Sequence, residues 1–187
     1  ADQSIEQDIA GQRSKNHLHA LGMGDGCGSF DDQLQRQDDQ AQADADAAQL
    51  AGASAEIEAA CATYGQALGT AFQIIDDVLD YDGDAQEMGK NLGDDLREGK
   101  NTLPLIIAMQ RASAQDAAVV RSAIENGSTE QLQAILHIVR STGALDATRE
   151  AAHAEALRAI AALAALPRNA YTEAMRDLAS QLLLRRT

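Results

Sequence analysis

Aromatic residues, proline and cysteine are scarce in this chain of 187 residues. Phe, Tyr and Trp together make up 3% of the sequence and Trp is absent, so the core must be built from Ala, Leu and Ile. The presence of only 2 prolines is compatible with long uninterrupted helices. Cys27 and Cys61 lie too far apart for a Cys-x-x-Cys motif, and we expect reduced thiols.

Long apolar runs are also missing. No stretch approaches the ~18 apolar residues that cross a bilayer, and the first residues lack the charged-then-apolar pattern of a secretory signal. We therefore expect a cytoplasmic protein that is not integral to a membrane. The formal net charge of −14 argues against a nucleic-acid partner. Phosphorylated small molecules stay open as ligands, because a metal ion can bridge carboxylates and phosphates.

The remaining composition favours helices. Hydrophobic residues make up 45% of the chain, enough for the core of one domain. Residues 1–50 differ from the rest: they are rich in Gln and Asp and poor in apolar side chains, so we expect disorder or frayed helix there. The predicted organisation is an atypical N-terminal stretch over residues 1–50 and a helical domain over residues 51–187.

Apolar periodicity and capping residues predict an all-α fold. The first helix begins after Ser54 as N-cap, with Glu56 and Glu58 in its first turn, and runs to about Tyr81. A second helix is predicted to begin at Thr102-Leu103-Pro104. Three more helices are predicted over residues 115–126, from Ser128 or Thr129 to about Thr142, and from Asp146 to Leu166. The last helix is predicted to cover about residues 170–185, with four side chains facing inward: Met175, Leu178, Leu182 and Leu183.

Three carboxylates interrupt the apolar end of the first helix, within the segment GTAFQIIDDVLDY at residues 69–81. Asp76 and Asp80 are four residues apart and project from one face, with Gln73 one turn earlier and Asp77 beside them. The helix dipole and the repulsion between like charges both disfavour carboxylates there. One interpretation is an acidic helix end in water. We prefer a bound cation, Mg²⁺ before Ca²⁺, because such violations of local rules tend to mark function.

A connection rich in glycine follows over residues 82–101. It carries Lys90 and Lys100 close in sequence to the three carboxylates. A loop of this length with its own glycines is more often functional than not. We expect its lysines to bind anionic oxygens on the far side of a metal ion.

Two sequence blocks resemble a known family. Residues 69–80 are similar to the second aspartate-rich motif of trans-polyprenyl diphosphate synthases, and residues 89–104, GKNLGDDLREGKNTLP, are similar to the loop that follows it there. Three shorter segments resemble the bacterial octaprenyl-type enzymes: AIENG at 123–127, TGAL at 142–145 and LPRNAY at 166–171. The resemblance covers about residues 51–187. It implies an all-α, partial isoprenoid-synthase-type helical bundle.

The resemblance also implies a reaction and a set of residues. Family members are transferases that condense an allylic diphosphate head-to-tail with isopentenyl diphosphate, and Mg²⁺ assists departure of the diphosphate. By resemblance Asp76 is a direct Mg²⁺ ligand, and Asp77 and Asp80 bind partly through water. The implied catalytic residues are Asp76, Asp77 and Lys90; the implied metal ligands are Asp76, Asp77 and Asp80; the implied substrate-binding residues are Gln73, Lys90 and Lys100.

The first aspartate-rich motif of that family has no counterpart here. Residues 31–39 contain aspartate pairs, but Asp is missing at the fifth position of the motif and the flanks are polar. We therefore expect the C-terminal half of a synthase, inactive alone, that forms homo-oligomers or associates with a complementary helical half. The alternative is a non-catalytic subunit or a helical partner-binding fragment of such an enzyme. A plain acidic helical protein would not explain two family blocks in the family's order.

Overall fold

The computed structural model describes residues 52–82 and 92–184, with side chains up to residue 182. The helices are α1 (Ala55–Asp82), α2 (Asp94–Arg97), α3 (Leu103–Arg111), α4 (Ala114–Asn126), α5 (Leu132–Ser141), α6 (Ala144–Ala162) and α7 (Ala170–Leu184), with a 3-10 turn (Leu163–Ala165) before α7. These two ranges contain no strand, which confirms the all-α prediction. The predictions for residues 1–50, for Lys90 and for the side chain of Leu183 lie outside the described residues.

Helix α1, with 28 residues, starts where local chemistry predicts. The Ser54 hydroxyl accepts the backbone N–H of Ile57 at 3.4 Å, which satisfies one of the donors left unpaired in a first helical turn. Glu56 and Glu58 lie in that turn, where the helix dipole favours negative charge. The predicted cap at Ser54 is therefore confirmed, and the helix ends at Asp82, one residue beyond the predicted end.

Helices α1 and α6 pack against each other along their length. Ala71 of α1 and Ala156 of α6 belong to one buried cluster, and such small side chains allow helix axes to approach closely. Tyr64 extends this packing to α7, because its hydroxyl donates to the backbone carbonyl of Met175 at 2.8 Å. The acidic end of α1 is thus part of a helix that is anchored over several turns.

The main apolar core surrounds the C-terminal half of α1. Ile75, Val78 and Tyr81 of α1 belong to a buried cluster that also contains Leu105 of α3 and Ile135 of α5. Tyr81, Leu105 and Ile135 have no exposed surface. Residues 75, 78 and 81 face inward. The orientation of α1 about its own axis therefore determines which of the three neighbouring carboxylates, at residues 76, 77 and 80, is buried.

The start of α5 differs from the prediction. The helix begins at Leu132 with Gln131 at its N-cap, not after Ser128 or Thr129. The Ser128 hydroxyl instead accepts the backbone N–H of Glu130 at 3.3 Å. Its capping capacity is used within the turn that precedes the helix, so the predicted cap is wrong.

Helix α6 also differs at both ends. It begins at Ala144, with Gly143 at the N-cap in the left-handed region (φ 65), so Asp146 lies inside the first turn and is not the cap. The α-helix ends at Ala162 and tightens into the 3-10 turn, so it does not continue to Leu166 as predicted. Left-handed backbone at Gly143 moves the helix start toward the N-terminus, because glycine adopts this conformation without steric cost.

The buried stripe of α7 corrects another prediction. Ala179 and Leu182 are 0% and 5% exposed, and Met175 packs against the same cluster as Ala179. These residues follow the i, i+4, i+7 spacing of one helix face. Leu178 lies beside that face and is 44% exposed, so its predicted inward position is wrong.

Candidate functional site

The three aspartates of α1 have different environments. Asp76 is exposed, Asp77 is 7% exposed, and Asp80 is half-buried, as is Gln73 one turn earlier. Asp77 lies three residues after Ile74 and four before Tyr81, which are both buried in the main core, so it shares their face of α1. The sequence prediction placed Asp77 beside the other two; the fold separates it from Asp76 by burial.

Asp77 is the deepest of these carboxylates. Its Oδ2 accepts the backbone N–H of Leu103, the first residue of α3, at 3.4 Å. Burial, the largest cause, and the negative charges of Asp95, Asp76 and Asp80 together raise the pKa of Asp77 to about 7, against the lowering effect of the Leu103 hydrogen bond. This side chain therefore joins α1 to α3 at an energetic cost when it is ionised.

Asp80 joins α1 to the short helix α2. Its Oδ1 accepts the backbone N–H of Asp94 at 3.2 Å, and its Oδ2 accepts that of Asp95 at 3.3 Å. The backbone carbonyl of Asp80 also accepts the N–H of Gly93 at 3.2 Å. Burial, the largest cause, and the charges of Asp95 and Asp94 together raise the pKa of Asp80 to about 6, although the two backbone hydrogen bonds oppose this shift.

Asp95 is a residue that sequence reasoning missed. Its charge contributes to the raised pKa of both Asp77 and Asp80, so the fold brings a fourth carboxylate to the acidic end of α1. The signal in the sequence was the Asp94-Asp95 pair within the second resembling block, at residues 89–104. Spacing alone could not find it, because Asp95 approaches α1 only when α2 folds back onto Asp80.

Lys100 lies within the same cluster. Its Nζ donates to Asp95 Oδ1 at 2.9 Å and forms an ion pair with Glu98 Oε2 at 2.7 Å. Hydrogen bonds to Glu98 and Asp95 raise the pKa of Lys100, so its ammonium group stays charged. Lys100, which is close to the acidic motif in sequence, thus lies beside Asp95 in the fold and is already paired with two carboxylates. Lys90 lies outside the described residues.

Two contacts support the end of α1. The Thr102 hydroxyl donates to the Tyr81 hydroxyl at 3.4 Å in a buried position next to the start of α3. The guanidinium of Arg149 on α6 pairs with the carboxylate of Asp82. These contacts hold the last turn of α1 between α3 and α6, so the acidic side chains start from a fixed backbone.

Divalent cations suit the chemistry of this cluster. Carboxylate oxygens are hard ligands, and a bound cation would relieve the repulsion between carboxylates that adds to burial in raising the pKa of Asp77 and Asp80. Within the described residues, no group of three or more His, Cys, Asp or Glu side chains could hold a metal ion. Mg²⁺ does not need such a group, because it is usually held by one or two carboxylates with water and substrate phosphates. The donors present fit that mode of binding.

None of the helices in residues 52–82 and 92–184 is both long and apolar enough to cross a bilayer.

Several known proteins are similar in sequence to the part of the chain that carries these residues. The sequence profile described as polyprenyl synthetase matches residues 41–140. The chain is 47% identical over 117 residues to the octaprenyl diphosphate synthase of Escherichia coli (strain K12), a match that covers 62% of this chain and 36% of that protein. The chain thus spans about a third of the length of the curated relatives it matches.

Solved structures share the fold. The polyprenyl synthase of Caulobacter crescentus CB15, solved as a complex with calcium and isoprenyl diphosphate, superposes with a TM-score of 0.69 at 41% identity, over 79% of this chain and 46% of that one. The geranylgeranyl pyrophosphate synthase of Corynebacterium glutamicum, solved with isoprenyl diphosphate and magnesium, gives a TM-score of 0.63 at 34% identity, over 73% of this chain and 40% of that one. The predicted isoprenoid-synthase-type bundle is confirmed, and the family profile covers more than half of the sequence: the chain belongs to the polyprenyl synthetase family.

Proposed function

We propose that this chain provides one acidic wall of a prenyltransferase site. The complete site would condense an allylic diphosphate head-to-tail with isopentenyl diphosphate. The observation that carries this proposal is the meeting of Asp77, Asp80, Asp95 and Lys100 at the end of α1, in a chain that belongs to the polyprenyl synthetase family. Two related structures contain isoprenyl diphosphate together with calcium or magnesium.

Asp76 is the side chain best placed to meet a metal ion. It is the exposed member of the α1 aspartates, so its carboxylate is accessible without loss of an internal contact of the kind that Asp77 and Asp80 make. Asp77 adds negative charge from its buried position. Gln73, one turn earlier on α1, would orient the water around the ion.

Charge stabilisation of the leaving diphosphate would come from two kinds of cation, the metal ion and the lysine side chains. Mg²⁺, when bound, would withdraw negative charge from the diphosphate oxygens as the carbon–oxygen bond breaks. Lys100 would bind a diphosphate oxygen by exchanging one of its two carboxylate partners, Asp95 or Glu98, for the anion. We assign Lys90 the same role, on the strength of the family loop at residues 89–104. Preorganised charges of this kind are usually the largest catalytic contribution.

We expect the 187-residue chain alone to form little or no polyprenyl diphosphate. The sequence holds one of the family's two aspartate-rich motifs, and it spans about a third of the length of the curated relatives it matches. Loss of a single preorganised donor lowers a rate by about 10²–10³-fold, and loss of a whole wall should lower it more. Activity should therefore require a chain that carries the first motif.

Metal binding is the first experiment. Calorimetry with Mg²⁺ and inorganic pyrophosphate should show binding that is stronger together than for Mg²⁺ alone, because the carboxylates leave coordination positions open for phosphate oxygens. Asp76→Ala should weaken that binding by about tenfold or more, since loss of an interaction with a charged group costs about 1.5–3 kcal/mol. Asp177→Ala is the matched control, since Asp177 is an exposed helical aspartate on α7. Equal binding by Asp76→Ala and Asp177→Ala would contradict the assignment.

Turnover is the second experiment. Purified protein is incubated with farnesyl diphosphate, labelled isopentenyl diphosphate and Mg²⁺, alone or co-expressed with the N-terminal half of a related synthase. We expect product only in the co-expressed sample, abolished by Asp76→Ala. Robust product from the chain alone would refute the need for the second wall. A stable complex of the two halves without product would favour a non-catalytic subunit and refute the catalytic role.

A further inference from the structure

Asp80 makes three hydrogen bonds to one turn. Its two carboxylate oxygens accept the backbone N–H groups of Asp94 and Asp95, and its backbone carbonyl accepts the N–H of Gly93. The distances are 3.2, 3.3 and 3.2 Å. A carboxylate that uses both oxygens in this way is fixed in direction by the backbone it binds.

The turn also holds the charged side chains of Asp95 and Lys100 in place. The backbone carbonyl of Asp95 accepts the N–H of Lys100 at 2.9 Å, and the Asp95 carboxylate accepts from Lys100 Nζ at 2.9 Å. Leu96 beside them has no exposed surface, which anchors the turn in the main core. The positions of Asp95 and Lys100 relative to α1 therefore depend on Asp80.

We propose that Asp80 is a positioning residue, which holds Asp95 and Lys100 at the acidic end of α1 through the backbone of the turn, and is not a direct ligand of a metal ion. This inference rests on the proposed function of the same site. Asp76 is the contrast, because it is exposed on the same helix and supplies its oxygens to solvent. Helical spacing places Asp76 and Asp80 on one face of α1, but in the fold Asp76 faces solvent whereas Asp80 binds the turn.

Amide exchange in the metal-free protein tests the positioning directly. Asp80→Ala removes both side-chain acceptors, whereas Asp80→Asn keeps one carbonyl oxygen that can accept one N–H group. We expect protection of the Asp94 and Asp95 amides to fall by about tenfold or more in Asp80→Ala and by less in Asp80→Asn, following the loss of two bonds and of one. Asp76→Ala should leave these amides unchanged. Unchanged protection in Asp80→Ala would overturn the proposal.

Calorimetry with Mg²⁺ and inorganic pyrophosphate provides the second readout. For a positioning residue, Asp80→Asn should stay within about threefold of the wild-type affinity while Asp80→Ala loses more, because the neutral amide still holds part of the turn. For a direct ligand, both variants should lose affinity equally, with amide protection intact in Asp80→Asn; that result would overturn the proposal. If Asp80→Ala does not fold, as judged by circular dichroism, Asp80→Asn alone decides by the same criterion.

The two measurements separate this inference from the function it rests on. A wild-type chain that binds no Mg²⁺ with pyrophosphate, or an Asp76→Ala variant that binds as well as wild type, would refute the proposed function. The exchange experiment contains no metal ion, so it would still decide whether Asp80 holds the turn.

Discussion

Replacement of Gly127 by alanine should disturb the acidic site at the end of α1, although Gly127 does not belong to that site. It ends α4 in the left-handed region with φ 56, and its N–H and that of Ser128 donate to the carbonyls of Ile124 and Ala123 in the last helical turn. A Cβ at this position would lie 2.7 Å from the backbone carbonyl oxygen of Arg97, at the end of α2. Because the contact is with backbone, Gly127→Ala must move either the end of α4 or the turn that carries Asp95.

The expected magnitude follows from two contributions. A left-handed conformation costs an L-residue about 1–2 kcal/mol, reduced by about 0.4–1 kcal/mol because alanine restricts the unfolded chain. Overpacking adds about 1–3 kcal/mol when the surroundings must shift. We therefore expect Gly127→Ala to lower the free energy of unfolding by about 2–4 kcal/mol.

Gly143 provides the matched control. It also has a left-handed backbone, with φ 65, but a Cβ there would first meet the Nη1 of Arg111 at 3.6 Å, an ordinary contact with a flexible side chain. Gly143→Ala should therefore show the conformational cost alone, about 1 kcal/mol.

Urea unfolding monitored by circular dichroism measures the difference. At a typical slope of about 1–3 kcal/mol per molar, the midpoint for Gly127→Ala should lie about 1 M below that for Gly143→Ala. Amide protection of Asp94 and Asp95 should fall in the first variant and stay unchanged in the second. Equal midpoints for the two variants would refute the argument that close approach to Arg97 is what requires glycine.

Three further predictions concern packing and charge. Leu105 has no exposed surface, so Leu105→Ala should lower the free energy of unfolding by about 2–5 kcal/mol. Leu178 is 44% exposed, so Leu178→Ala should lower it by under about 1 kcal/mol. Similar values for the two variants in denaturant titrations would contradict the assigned core. Tyr64→Phe should cost about 1 kcal/mol through loss of the hydrogen bond to the Met175 carbonyl, and a midpoint equal to wild type would show that this bond contributes nothing. Arg149→Met should cost about 0.5–1 kcal/mol at low salt and less at about 0.5 M salt, since the pair with Asp82 is partly exposed; a cost independent of salt would point to packing of the side chain and not to charge.

The boundaries of most helices follow from local sequence. The Ser54 cap, Pro104 at the start of α3 and the end of α4 at Asn126 were predicted and are present, because each depends on hydrogen bonds or backbone angles within a few residues. The errors arose where two local signals competed. At the start of α5 the Ser128 hydroxyl binds within the preceding turn, and at the start of α6 left-handed Gly143 begins the helix before Asp146.

The acidic motif was likewise visible in the sequence, since Asp76, Asp77 and Asp80 interrupt an apolar helix. Their separate environments were not. Helical spacing puts Asp77 within the same turn as Asp76, but only the packing of Val78 and its neighbours into the main core determines that one is buried and the other exposed. Side-chain periodicity gives relative angles around a helix, and the absolute orientation comes from the partners that cover one face.

The tertiary structure alone decided the partners of that motif. Asp80 binds backbone groups 14 and 15 residues away, and these bonds, together with the buried Leu96, hold Asp95 at the end of α1. No pattern in the sequence encodes such a contact, because it joins two segments whose distance is set by the rest of the fold. The sequence determined the chemistry available, namely oxygen ligands and lysines in one region of the chain. Packing of α1 against α3 and α6 determined which of those groups meet.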